Sequence, residues 1–126
     1  LATKMDLFSI VYVATAAEAI QMAEAGADAI ISHVGTTVGG SVGVTGASCT
    51  MDDAIARTRE IMEAGKKVNP GIFFLAHGGP INTPEDVRVV LDKTAVHGFV
   101  GASSLERMGV EQSLTDLTRK FKSLTL

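Results

Sequence analysis

A single cysteine, Cys49, stands among 126 residues, so no internal disulfide can staple the fold and a reducing compartment suits the chain. Basic residues are few and scattered. The 11 Lys and Arg against 14 Asp and Glu leave a formal net charge of -3, without the electrostatic footprint that a nucleic-acid partner requires. No stretch is apolar for long enough to cross a bilayer, and residues 1–25 carry neither a basic leader region nor an apolar signal core. These absences lead to an expectation of a cytoplasmic protein with neither nucleic acid nor membrane as a partner. Two nucleotide-phosphate motifs are missing as well. Gly-x-Gly-x-x-Gly occurs nowhere, and Gly65-Lys66-Lys67 lacks both the earlier glycine and the following Ser or Thr of a P-loop.

What is present is apolar: 46% of the residues are hydrophobic, enough for one buried core and too few in total for two ordinary domains. Residues 1–126 are therefore expected to form one domain or part of one. The apolar residues are organised as an alternation. Phe8-Ser9-Ile10-Val11-Tyr12-Val13 is β-branched and aromatic, and Thr15-Ala16-Ala17-Glu18 after it is a capping box that opens an alanine-rich helix ending at Gly26. Residues 28–33 form a second strand, with Asp28 as a turn residue at its start. After a glycine-rich segment Thr50 caps a helix over residues 51–67 that carries Asp52 and Asp53 in its first turn, where the helix dipole favours them. Residues 72–76 form a third strand, and Thr83-Pro84-Glu85-Asp86 starts a third helix. Residues 97–101 make a fourth strand. A terminal helix over residues 110–123 places Val110, Leu114, Leu117, Phe121 and Leu124 at helical spacing, as a core-facing stripe.

Two histidines end short apolar runs and each is followed at once by glycine: Ile30-Ile31-Ser32-His33-Val34-Gly35 and Phe73-Phe74-Leu75-Ala76-His77-Gly78-Gly79. Such runs read as buried strands opening into loops at their carboxyl ends. In parallel α/β folds that edge is where ligands bind. His97 instead begins its strand and so belongs to the opposite, stability-bearing end.

Four consecutive β-α units call for a parallel sheet, because parallel neighbours need a crossover. A closed eight-stranded barrel takes about 250 residues and rarely fewer than about 200, so the expected fold is half of a (β/α)8 TIM barrel, with an open doubly wound sheet as the alternative. Half a barrel leaves two open sheet edges, at residues 8–13 and 97–101, and an interior with nothing opposite. The expected partner is the missing barrel half or a second copy of the chain.

The segments His33-Val34-Gly35-Thr36-Thr37-Val38-Gly39-Gly40-Ser41-Val42-Gly43, His77-Gly78-Gly79-Pro80-Ile81 and Gly101-Ala102-Ser103-Ser104-Leu105-Glu106-Arg107 resemble the second half of the phosphoenolpyruvate hydrolase-like TIM-barrel family. That family includes phosphonopyruvate hydrolases and the C-terminal barrel of plant tobamovirus-resistance proteins. The resemblance runs along nearly the whole chain, in order and with matching spacing. It implies that these are the last four units of a barrel whose first four lie outside this chain, and it suggests phosphoenolpyruvate or phosphonopyruvate chemistry of hydrolase or lyase type.

The residues themselves allocate roles on that edge. His33 and His77 are candidates for acid-base groups or donors to an enolate or carbonyl oxygen, because imidazole titrates near neutral pH. Glu106 joins them as the acid in the strand-to-helix loops. Residues 34–49 mix glycines with Thr36, Thr37, Ser41, Thr45 and Ser48, so Gly35, Thr36, Thr37, Gly39, Gly40 and Ser41 form a candidate anion cradle or lid. Gly78 and Gly79 extend it. Gly101, Ala102, Ser103 and Ser104 offer a second anion contact, with Arg107 placed to bind a carboxylate bidentately or to pair with a surface charge such as Glu111. The expected ligand is a small anionic metabolite. No cofactor is evident, and a divalent metal would need its carboxylate ligands from the absent half, since these strand ends carry histidine, glycine and hydroxyls. Cys49 has no base beside it and reads as a small residue before a helix cap. A non-catalytic ligand-sensing or protein-interaction barrel is the alternative to an enzyme.

Overall fold

The computed structural model describes residues 1–39 and 49–124. After a 3-10 turn at Thr3–Met5 the chain runs through β1 (Ile10–Val13), α1 (Ala16–Glu24), β2 (Ala29–His33), α2 (Met51–Val68), β3 (Phe73–His77), α3 (Pro84–Lys93), β4 (Gly98–Phe99), α4 (Ser103–Glu106) and α5 (Met108–Lys122). The strands are all parallel and stand in the order β1-β2-β3-β4. A doubly wound sheet reverses its strand order at a switch point, whereas a barrel adds each strand beside the last. The unbroken order supports the half barrel.

Each of the three longer crossovers starts on the same device. Thr15, Thr50 and Thr83 accept the amides of Glu18, Asp53 and Asp86 on their hydroxyl oxygens, and those carboxylates accept the threonine amides in return. Two orphan donors are satisfied at each helix start, so the chain turns from strand end to helix within a few residues. The same contacts hold the acids in their charged form. The Ala14 amide, with that of Thr15 and its hydroxyl, keeps Glu18 below the usual carboxylate range. The Thr50 hydroxyl and then its amide do this for Asp53. At Asp86 partial burial pushes upward, and the amides of Thr83 and Asn82 and the Thr83 hydroxyl together pull further down.

The core lies between the outer face of the sheet and the helices. Ile30 and Phe74 point there with Val13 and Ala76, against Ala19 and Ala23 of α1 and Ala54, Ile55 and Ile61 of α2. Burying the larger of these, the valine, isoleucine and phenylalanine side chains, is worth about 1.5–3 kcal/mol each. Gly65 explains how α2 comes so close: a Cβ there would sit 2.6 Å from Phe74 Cζ, so only glycine lets the ring lie flat beneath the helix. Across the same interface Ser32 donates its hydroxyl to Thr58 Oγ1 at 3.2 Å, and both are fully buried. This pair lets two polar groups enter the core without an unmet hydrogen bond. At the other end of the sheet Asp28 does more than turn the chain: it accepts the Ser9 amide at 2.7 Å and hydroxyl at 2.8 Å, clamping the start of β2 to the residue before β1. These two donors, the amide first, hold its carboxyl below the ordinary value.

The inner face is different. Ile10, Tyr12 and Phe73 point to the barrel interior and are 53%, 52% and 50% exposed. Of the two histidine-ended runs that read as buried strands, β2 meets the pattern, while β3 begins with alternation, as does β1. β4 is shorter than its expected five residues, although the His97 amide donates to Phe74 and that of Val100 to Ala76, so the backbone follows β3 beyond the two strand residues. The terminal helix departs most. It begins at Met108, and its apolar stripe of Val110, Leu114, Leu117 and Phe121, with Leu124 just beyond, is exposed and not core. The spacing that marked a buried face is present, but among the described residues α5 packs mainly on α4, and nothing covers the stripe.

Candidate functional site

The register of the sheet brings the two histidines together. β2 and β3 pair residue for residue from Ala29 with Phe73 to His33 with His77, so the imidazoles stand side by side at the carboxyl edge with ring centroids 5.2 Å apart. His77 is buried, 8% exposed, and its Nδ1 lies 2.7 Å from the Val100 carbonyl. A carbonyl only accepts, so Nδ1 carries the proton and Nε2 is the basic nitrogen of the neutral ring. The Val100 carbonyl, just beyond β4, thus orients the ring and favours this tautomer.

A cavity of about 390 Å³ opens at this edge. His33 and His77 line it together with Thr36, Thr37, Ala102, Ser103 and Arg107. The ends of β2 and β3 and the loops after β2 and β4, far apart in sequence, therefore meet at one place. The lining carries imidazoles, hydroxyls and a guanidinium, and no carboxylate among the described residues. This composition suits an anion. Arg107 also donates from Nη1 to Glu111 one turn along α5, at 2.7 Å, which is the charge pairing considered for it from the sequence. A guanidinium has five N–H donors in a fixed fork, which leaves room for a ligand beside that pair.

The glycines do something other than line the cavity. Gly78 has φ +83°, and a Cβ there would sit 2.3 Å from the Gly35 carbonyl oxygen. Gly79, with φ +57°, donates its amide to that same oxygen at 2.8 Å. Val34 donates to the His77 carbonyl, Val38 donates to that of Gly79, and the Asn82 side chain donates to Val38 at 3.0 Å. The loops after β2 and β3 are thus stitched backbone to backbone, and this seam positions Thr36 and Thr37 over the histidines. Gly39 lies at the end of the seam against Met108. Gly40 and Ser41, with the rest of 40–48, fall outside the described residues.

On the fourth loop Ala102 and Ser103 reach the cavity, Gly101 and Ser104 flank them without lining it, and Glu106 is exposed on α4 away from it. His97 stays at the opposite edge, where Nδ1 accepts the Phe74 amide at 3.0 Å and the ring meets Phe73. Cys49 is buried at the start of α2, with its thiol directed to the Thr50 carbonyl. One contributor escapes the motif reading. Tyr12 of β1 lies edge-on to both imidazoles, at 5.9 Å from His33 and 5.1 Å from His77. The signal for it is the period of two along β1, which turns Ile10 and Tyr12 to the same face as the histidines.

No helix among the described residues is long and apolar enough to cross a membrane, and no group of three or more His, Cys, Asp or Glu residues among them could hold a metal ion. The sequence model of a family described as phosphoenolpyruvate hydrolase-like matches residues 1–124. ToMV susceptible protein tm-1(GCR26) of Solanum lycopersicum is 41% identical over 126 residues, covering 99% of this chain and 17% of that protein. ToMV resistance protein Tm-1(GCR237) of the same plant is 40% identical with the same coverage. The chain thus spans about a sixth of the length of these relatives. Among solved structures, the N-acetylmannosamine-6-phosphate 2-epimerase from Clostridium perfringens superposes with a TM-score of 0.54 at 19% identity, covering 92% of this chain and 45% of that one. At that identity the likeness concerns the fold, and the share is close to what four of eight β-α units would give.

Proposed function

The chain belongs to the phosphoenolpyruvate hydrolase-like family, and from that premise we propose that its strand-end cavity binds a small phosphorylated or carboxylated metabolite of phosphoenolpyruvate or phosphonopyruvate type and turns it over by hydrolase or lyase chemistry. The observation that carries the reading is the Val100 contact of His77. It leaves Nε2 of the neutral ring as the atom that can take a proton from the substrate or, once protonated, donate one to a developing enolate or carbonyl oxygen. His33 stands beside it as the second polar ring. The hydroxyls of Thr36, Thr37 and Ser103 and the guanidinium of Arg107 hold the anionic group, with the neighbouring backbone of Gly101 and Ser104 in support. Glu106 takes no part in this scheme, because it stands outside the cavity. A divalent metal, where the reaction uses one, takes its carboxylate ligands from β-α units outside this chain. A cytoplasmic setting suits the single buried thiol.

The absence of a carboxylate from the described lining favours a second reading, a barrel that binds the same anion without turnover. Assay of the full-length protein with phosphonopyruvate and phosphoenolpyruvate separates the two. Turnover that drops by about 100-fold or more in His77→Ala, with thermal stability little changed, is the expected result. Binding of either compound with no turnover at all supports the second reading.

A further inference from the structure

We propose that Tyr12 is a positioning residue of this site: its ring forms the wall that holds the imidazoles of His33 and His77 at the angle the cavity uses. The chain contains one tyrosine, and β1 turns it to the barrel interior, where it is 52% exposed. On the register Tyr12 is level with Ile31 and Leu75, one inward-facing row below the paired histidines. Its length lets the ring reach that next row diagonally, and it meets both imidazoles edge-on, with interplanar angles of 68° and 72°. Edge-to-face contacts of this kind favour one ring orientation over its alternatives.

The two histidines are not equally secured without it. His77 has the Val100 carbonyl on Nδ1. His33 is only partly buried, and the contacts described for its ring are with Tyr12 and His77. Tyr12 therefore couples the less anchored ring to the fixed one. An aromatic ring is what this role needs, since an aliphatic side chain at the same place would fill space without imposing an angle.

The proposal rests on the anion-site reading for its ligand readout alone, so the test has one arm that needs no ligand. In full-length protein carrying histidine labelled at Cε1, NMR resonances of His33 and His77 are identified from His33→Gln and His77→Gln and compared in the wild type, Tyr12→Phe and Tyr12→Leu. Cross-relaxation from the Tyr12 ring to both Hε1 protons is expected in the wild type, where Tyr12 itself is unaltered. Tyr12→Phe should leave both resonances near their wild-type positions, and Tyr12→Leu should move both. With inorganic phosphate as the probe, Tyr12→Leu should weaken the response of His77 by about tenfold and Tyr12→Phe should restore it, because sub-ångström misplacement of a site group is felt in affinity. Absent cross-relaxation, unmoved resonances in Tyr12→Leu, or a Tyr12→Phe as damaging as Tyr12→Leu would overturn the proposal. A wild type whose histidines ignore phosphate but do respond to Tyr12→Leu would overturn the anion reading and leave the positioning role standing.

Discussion

Gly78 is the residue on which the geometry of the site turns. Its positive φ is one that side-chain-bearing residues rarely adopt, and the Gly35 carbonyl occupies the space where a Cβ would go. Gly78→Ala therefore meets both backbone strain and a clash with backbone, which cannot swing away as a side chain could. The expected cost is about 2–5 kcal/mol, read as a lowered midpoint in chemical denaturation. Weakened anion binding should accompany it, because the same seam carries Thr36 and Thr37. The sequence displayed these glycines, and their composition suggested amides reaching toward a ligand. Their actual work, joining two loops, depends on a close approach between residues over forty positions apart that no local pattern encodes. His33 and His77 were legible for the opposite reason. Strand ends are marked locally by an apolar run and a following glycine, and parallel pairing of successive strands then brings such ends together.

At the scale of elements, the three threonine-led helix starts were readable because a capping box is confined to four residues. They also make stability depend on pH in a definite direction. Glu18, Asp28, Asp53 and Asp86 all have folded-state values below their ordinary ones. Carboxylates shifted this way contribute stability that is complete above their unfolded pKa, near 4 by the usual reference values, and is lost as the pH falls through the lower folded values. Thermal midpoints of the full-length protein should accordingly change little through these groups between about pH 7 and about pH 5 and fall below about pH 4. Replacing Thr15, Thr50 and Thr83 together with alanine should lower the midpoint near neutrality and make the acid decline shallower; an equally steep decline would show that other groups carry it. The helix that misled was α5. Its stripe at helical spacing promised a core, but a periodic pattern reports only that a face is apolar, and what covers that face is a property of the rest of the molecule.

For the whole molecule, the parallel order without reversal and the bare inner face belong to one architecture, a barrel with half of its staves. Ile10, Tyr12 and Phe73 on the inside and the apolar stripe of α5 are exposed in this chain. We expect the 126-residue chain on its own to self-associate, since exposed apolar faces of this kind favour association. Light scattering across a dilution series checks this, and a compact monomer of 13.1 kDa that unfolds cooperatively would speak against it. The parallel sheet was legible from the alternation of elements, and the strand order separates the half barrel from an open doubly wound sheet, whereas the contact of Tyr12 with the histidines was not legible, because it crosses from one inward-facing row to the next.

The proposed function places anion binding at the carboxyl edge of the sheet, beside the paired histidines. Hydrogen exchange of the full-length protein with and without phosphonopyruvate tests it most directly, since it reports protection by location along the chain. Slowed exchange is expected in the segments containing Thr36 and Thr37 and in those containing Ala102, Ser103 and Arg107, which line the cavity. Protection confined to the opposite edge, around Phe8, Asp28 and His97, would contradict it.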